Sequence, residues 1–217
     1  MSNIYPYILL SGGADSVASL NILHNADPLN MAKLTAIHYD MDDMPRSEPE
    51  SAIICQLAAQ FPNIKFIVGK LRGFAHGDVL ALLMAFLDNI AITHRAEDQV
   101  VLYMGFESEE LDNYGPNLTE ARAALDLLLQ ARRAYWANEQ QPTIRLESVI
   151  VGYTKDQIVR RCETSPFWSC RNPQLIDGYT WRGCGQCHSC RQLAERQFVQ
   201  PDVACNLGPK LLSVYQA

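Results

Sequence analysis

The sequence predicts an α/β fold, a doubly wound parallel sheet with a small cysteine-rich lobe at its C-terminal end, and three observations predict it. Short apolar runs alternate with segments of helical apolar spacing from residue 4 to about residue 160, the pattern of strands joined by crossover helices. Turn residues cut these runs off sharply, first at Ser11-Gly12-Gly13. From Ser165 onward the periodicity gives way to turn residues, aromatics and cysteines. The division falls accordingly at residues 1–164 and 165–217, the second read as an appended lobe and not an independent domain. With 217 residues, 48% of them apolar and 19% charged, and no repetitive tract, the chain is neither a disordered tail, a collagen-like fibre nor a disulfide-stapled miniprotein. A domain of this size buries roughly 70% of the surface its unfolded chain exposes, so it needs no metal merely to fold.

Ile4 to Leu10 is the first strand, ended by the glycine turn, and Asp15 to about His24 is the first helix. Lys33 to His38 is the second strand; Pro49 to Gln60 carries helical spacing behind the Ser47/Glu48 cap region, and Lys65 to Gly69 is the third strand. Asp78 to Ile92 places Val79, Leu80, Leu82, Leu83, Phe86, Leu87 and Ile90 over more than half a helix circumference, which predicts a deeply buried central helix. Gln99 to Gly105 is the fourth strand. Asn117 and Glu120 form a capping pair for a helix reaching about Asn138. Thr143 to Val151 is the fifth strand, Thr154 opens a short helix through Arg160, and a last short helix runs near Ser189 to Phe198. Right-handed crossovers then cover both faces of the sheet. Ligands in such folds sit outside the carboxyl ends of the strands, which here feed loops near Ser11, His38, Gly69, Gly105 and Val151.

Lys plus Arg total 18 against 24 Asp plus Glu, a formal net charge of −6. Nothing therefore draws the chain as a whole to a phosphate backbone, and a dedicated nucleic-acid-binding protein is disfavoured. Met1 to Leu10 lacks the features of a secretory signal, and no stretch approaches the roughly 20 apolar residues that span a membrane. A soluble cytoplasmic protein is the expectation. Its seven cysteines are then reduced thiols, buried residues or metal ligands in preference to bridges.

Two motifs carry chemistry. Ser11-Gly12-Gly13-Ala14-Asp15-Ser16 lies at the first strand-to-helix junction, where glycines permit positive φ and close ligand approach and the helix N-terminus offers N–H groups to an anion. The hydroxyls of Ser11 and Ser16 can add donors, and Asp15 can cap the helix or help hold a magnesium ion. GxxxxGK[ST] and GxGxxG are both missing, so neither a phosphate-cleaving P-loop of that type nor a dinucleotide fingerprint is supported. The second motif is Cys184-Gly-Gln-Cys187-His-Ser-Cys190, with Cys170 a loop's length upstream. Four thiolates suit tetrahedral zinc. An iron–sulfur cluster is the rival, weakened because Ala194 stands where a ferredoxin run places its fourth cysteine. His188 reads as a neighbour of the site, and the isolated Cys55, Cys162 and Cys205 as small buried hydrophobes. Lys155 either adds positive charge at the open end of the sheet or is an ordinary exposed lysine at a helix start. Phe167 and Trp168 either stack on a flat heterocycle or pack the lobe against the sheet.

The hexapeptide resembles the SGGxDS loop of the PP-loop ATPases of HUP-like fold, which cleave ATP between the α and β phosphates and adenylate a substrate oxygen. Taken with the cysteine cluster, with Gly152-Tyr153-Thr154-Lys155-Asp156-Gln157-Ile158-Val159 and with Trp168-Ser169-Cys170, the chain resembles the QueC family, the 7-cyano-7-deazaguanine synthases, over nearly its whole length. The resemblance implies an ATP-dependent C–N ligase that converts 7-carboxy-7-deazaguanine and ammonia to the nitrile preQ0 on the queuosine and archaeosine routes. It implies ATP, Mg2+ and Zn2+ as cofactors and a homodimer. In that scheme Ser11 to Ser16 receive the pyrophosphate, with Ser11, Asp15, Ser16 and Lys155 as catalytic groups and Cys170, Cys184, Cys187 and Cys190 on zinc. The backbone near His38 receives the adenine, and His76, Asp112 and Tyr114 face the substrate.

The chain departs from that family in the loops that would set specificity. His76-Gly77-Asp78 replaces an Arg-Asn pair opening the central helix, and His38-Tyr39-Asp40-Met41 replaces a Tyr-Gly-Gln-Arg-like stretch. Glu107 to Asn117 keeps only Asp112, Tyr114 and Pro116 of the usual loop, and the gap from Cys170 to Cys184 is longer. Alternatives are therefore an enzyme that stops at the amide or joins the activated acid to another amine, a PP-loop RNA-modifying enzyme, and a nucleotide-binding interaction module that has lost catalysis.

Overall fold

The computed structural model describes residues 3–26, 33–41, 44–72, 79–107, 117–135 and 141–204. In chain order the elements are β1 (Ile4–Leu9), α1 (Ala14–Ala26), β2 (Thr35–Met41), α2 (Ser47–Gln60), β3 (Lys65–Leu71), α3 (Val79–Thr93), β4 (Gln99–Tyr103), α4 (Leu118–Tyr135), β5 (Thr143–Glu147), α5 (Lys155–Arg161), β6 (Gln174–Leu175), β7 (Thr180–Arg182), α6 (His188–Glu195) and β8 (Val203–Ala204). Five strands form one sheet in the order β3-β2-β1-β4-β5, with every pairing parallel. The alternating pattern thus yields the parallel α/β sheet the sequence predicts.

Two apolar layers show why the sheet is covered twice. Ile8 and Leu10 face Val17, Ala18 and Leu20 of α1, Ile53, Ile54 and Leu57 of α2, and Ile158 of α5. Leu9, one step along the chain, faces the opposite layer of Leu83, Phe86, Leu87 and Ile90 of α3 and Ala121, Leu125 and Leu129 of α4. Period-two alternation along β1 therefore feeds both cores. Phe167, Trp168, Cys170, Cys190 and Leu193 of the lobe join the first layer, so the lobe shares its core with the α1, α2 and α5 face.

Several boundaries differ from the sequence reading. β2 runs on to Met41, so His38 lies inside the strand and its carboxyl end comes three residues later. α3 is not buried all round: Leu83, Phe86, Leu87 and Ile90 pack on the sheet, whereas Leu80 is 42% and Met84 52% exposed. Its apolar arc is wider than the one face the sheet can cover. α2 is capped by Arg46 without a side-chain bond, because the Ser47 hydroxyl lies within the helix and donates to Asp40. Asn117 and Glu120 do form a reciprocal capping box, with bonds of 3.0 and 2.9 Å. β5 stops at Glu147, and the lobe contains a three-stranded antiparallel sheet, β6-β7-β8, that the sequence reading does not anticipate.

Candidate functional site

Strand order reverses between β1 and β4: α1 and α2 lead away on one side of β1, and the chain returns after α3 to place β4 on the other. The crevice at the carboxyl ends of β1 and β4 is the topological switch point, where open α/β sheets take ligands. The glycine turn sits there. Gly12 has φ +80°, a left-handed conformation, and a Cβ on it would lie 3.1 Å from the Glu50 carbonyl oxygen of α2. Glycine is thus required both by dihedral and by space. Across the switch point Gly105, just after β4, packs against the start of α1; a Cβ there would lie 2.8 Å from the Asp15 carbonyl carbon and 2.9 Å from the Ser16 nitrogen.

The hydroxyls of the turn are ordered by one another. Ser16 Oγ donates to the Gly13 carbonyl at 3.0 Å. Its one proton being used, the 3.2 Å contact between the two hydroxyls is donated by Ser11, whose oxygen accepts the Gly13 N–H at 3.2 Å. The first-turn N–H groups of α1 have no intrahelical acceptor, and the helix dipole places partial positive charge at this end. The arrangement is competent to hold an anion.

Lys155 enters the same crevice from α5. Thr154 caps that helix in a reciprocal box with Gln157. α5 is fastened to α1 by buried polar bonds: Asn21 donates to the Arg161 carbonyl at 2.6 Å, Ser165 donates to Asn21, and the Cys162 thiol donates to the Ala14 carbonyl at 3.3 Å. The ammonium of Lys155 then lies 2.7 Å from Asp15 Oδ1 and also contacts Glu107. Its side chain is only 16% exposed, so the exposed-lysine reading does not describe it. Burial opposes its charge, but Asp15 and Glu107 outweigh that and hold its pKa above the ordinary value. Burial pushes the Glu107 carboxyl up, Asp15 adds to it and Lys155 opposes. Glu107 was not among the sequence-predicted residues; its one signal is its place two residues beyond Gly105, in the loop that faces the glycine turn.

His38 is 3% exposed. Its Nδ1–H donates to the Leu10 carbonyl at 2.8 Å, leaving Nε2 to accept from Ser51 Oγ at 3.2 Å. Burial lowers its pKa, opposed by the Leu10 carbonyl and Asp40. The side chain is thus neutral and committed to the end of β1, and only its backbone is left for the adenine role. Phe167 and Trp168 are 3% and 0% exposed and serve as packing. His76, Asp112 and Tyr114 lie outside the described residues, as does Cys205. Cys162 is buried, with burial foremost in pushing its thiol up to about 12, and Cys55 is half-buried.

The sulfur atoms of Cys170, Cys184, Cys187 and Cys190 all lie within 4.8 Å of one another. A tetrahedral zinc site with bonds of about 2.3 Å has sulfur–sulfur edges of about 3.8 Å, so a small inward movement closes this group around an ion. Backbone N–H groups already point at the sulfurs: Cys184 N–H to Cys170 Sγ at 3.2 Å, and Gln186 and Cys187 N–H to Cys184 Sγ at 3.4 and 3.3 Å. Gly185, at φ +70°, makes the turn that aims them. Burial opposes ionisation of Cys187, but the N–H groups of Arg171 and Cys190 and the neighbouring thiols outweigh it and bring its pKa down to about 7. Burial and the adjacent thiol of Cys187 push Cys190 up. One thiolate is thus ready near neutral pH, while burial pushes Cys170 up as it does Cys190, and a cation favours the ionised form of both. Four cysteines so placed can hold a metal ion such as zinc.

No family model matches the chain, and comparison with curated proteins finds no significant match. No helix among the described residues is long and apolar enough to cross a membrane.

Proposed function

We propose that the chain is an ATP-dependent ligase that adenylates a deazapurine carboxylic acid and passes the acyl group to an amine, as the resemblance to the 7-cyano-7-deazaguanine synthases implies. The observation that carries this reading is the meeting of the Ser11–Ser16 turn, Lys155 and Glu107 at the β1/β4 switch point. In this scheme a carboxylate oxygen of the acid attacks the α-phosphorus of ATP, and the bond to the β-phosphate oxygen breaks. Pyrophosphate leaves into the turn, where the first-turn N–H groups of α1 and the Ser11 and Ser16 hydroxyls receive its charge. Lys155 exchanges its carboxylate partners for the phosphate oxygens. Magnesium, when bound, supplies further positive charge to the pyrophosphate, and the Asp15 carboxylate is the group placed to hold it. Ammonia then attacks the acyl carbon, and AMP departs with one of the two carboxylate oxygens. A second adenylation, on the amide oxygen, removes that oxygen and leaves the nitrile.

In this reading the four-cysteine site holds zinc and braces the lobe without touching the reacting atoms. Pyrophosphate exchange into ATP tests the proposal. Exchange is expected only with 7-carboxy-7-deazaguanine or a close analogue present, and is expected to vanish in Asp15→Asn and Ser11→Ala. Exchange that persists in both variants would remove the turn from the mechanism. Mass spectrometry of the product then distinguishes nitrile, amide and conjugate.

A further inference from the structure

We propose that Trp168 is a positioning residue that makes the geometry of the glycine turn depend on the ion held by the four cysteines. Its effect on nucleotide binding rests on the reading above; its structural content does not. The Trp168 backbone N–H donates to the Gly12 carbonyl at 2.8 Å. In a trans peptide the carbonyl of Gly12 and the N–H of Gly13 point in opposite directions. Fixing the first therefore aims the second, and the Gly13 N–H is the donor that holds the Ser11 hydroxyl oxygen in the turn at 3.2 Å. Gly12, at φ +80°, occupies a region that a glycine leaves readily. Its carbonyl needs an external tether, and Trp168 supplies it.

The tether is itself held by the lobe. The Trp168 ring is fully buried, and its Nε1–H donates to the Cys170 carbonyl at 3.0 Å. The next N–H, that of Ser169, donates to Gln200 Oε1 at 2.8 Å, and Phe167 stacks on Phe198 with centroids 5.0 Å apart. Cys170 Sγ belongs to the four-sulfur group and accepts the Cys184 N–H. A single residue, Ser169, thus separates a metal ligand from the one whose N–H orients the turn. With the ion bound, the segment from 167 to 170 is clamped between lobe and turn. With it removed, the thiols keep only N–H···S and thiol–thiol hydrogen bonds, and the Gly12–Gly13 peptide gains freedom to rotate.

Amide hydrogen exchange on the full chain tests this without requiring turnover. Zinc-loaded wild type, the same protein after chelation, and zinc-loaded Trp168→Phe are compared, with binding of a non-hydrolysable ATP analogue measured on each. Chelation is expected to speed exchange of the hydrogen-bonded Trp168 and Gly13 N–H groups about ten-fold and to weaken the analogue by a similar factor, while β1 and β4 keep their protection. Trp168→Phe, which loses the indole donor, is expected to reproduce part of both changes with zinc still bound, and zinc addition to restore the chelated wild type. Unchanged exchange at Trp168 and Gly13 while residues 184–190 lose protection would overturn the proposal. If chelation unfolds β1 and β4 as well, the loaded variant decides: turn exchange equal to wild type overturns it. A loaded wild type that binds no nucleotide would refute the nucleotide reading, and exchange would still judge the coupling.

Discussion

Replacing Lys155 with methionine keeps the length and apolar stem of the side chain and removes one charge from a cluster of three. Removing one member of a fully buried ion pair typically destabilises by about 3–5 kcal/mol, because its partner is left uncompensated. Here the side chains are 16% exposed at Lys155, 33% at Asp15 and 21% at Glu107. Water screens the carboxylates in part, so the loss expected is roughly 1–3 kcal/mol at about pH 8. The pH dependence follows from Glu107. Burial and Asp15 already raise it, and Lys155 is the group that opposes them. Without Lys155 the folded chain takes up a proton at higher pH than the unfolded chain, whose carboxyl titrates near its ordinary 4.5. The variant therefore regains stability as pH falls from about 8 to about 5, and the gap to wild type narrows. Lys155 itself is raised above 10.5, so its contribution in the wild type is complete below that value and disappears only as pH rises through the folded pKa. Urea unfolding followed by circular dichroism at the two pH values measures the gap. A difference below about 0.5 kcal/mol, or one independent of pH, would refute the account of the cluster.

Gly105→Ala places a methyl 2.8–3.0 Å from three backbone atoms of Asp15 and Ser16; overpacking against rigid backbone is expected to cost about 1–3 kcal/mol and to weaken nucleotide binding further by moving the start of α1, as denaturation and calorimetry would show. Burial, opposed by Arg46 and reinforced by Asp40, pushes Glu50 up to about 8 from an ordinary 4.5. The wild type should therefore lose stability as pH rises through that window, and Glu50→Gln should show a flatter profile by thermal melting. Elemental analysis is expected to give about one zinc per chain, released on acidification as the thiolates protonate and lost in Cys187→Ser. Iron with sulfide and a brown colour would contradict it.

The main sheet was legible because each strand carries an apolar run and each helix a 3.6-residue period, and both signals survive without knowledge of neighbours. The exposure of Leu80 and Met84 was not: the width of an apolar arc says how much a helix could bury, not how much the sheet and α4 leave open. The lobe's strands, two or three residues each, are too short to show alternation. At the site, the glycine turn and the four cysteines are contiguous or regularly spaced motifs and were readable. Glu107 was not, because its role comes from Gly105 packing on α1, a contact between segments about ninety residues apart. The same holds for the Trp168 bond to Gly12, which only the fold brings together, and for Lys155, whose two readings were separated only by its burial between carboxylates.

The central claim is that an acid attacks the α-phosphate of a nucleotide held at the first turn of the chain. The most direct measurement is the fate of oxygen-18 placed in the carboxylate of 7-carboxy-7-deazaguanine and followed by mass spectrometry through one turnover. The account predicts that the label appears in AMP, with unlabelled pyrophosphate. ADP and phosphate as products, or AMP without label, would contradict it.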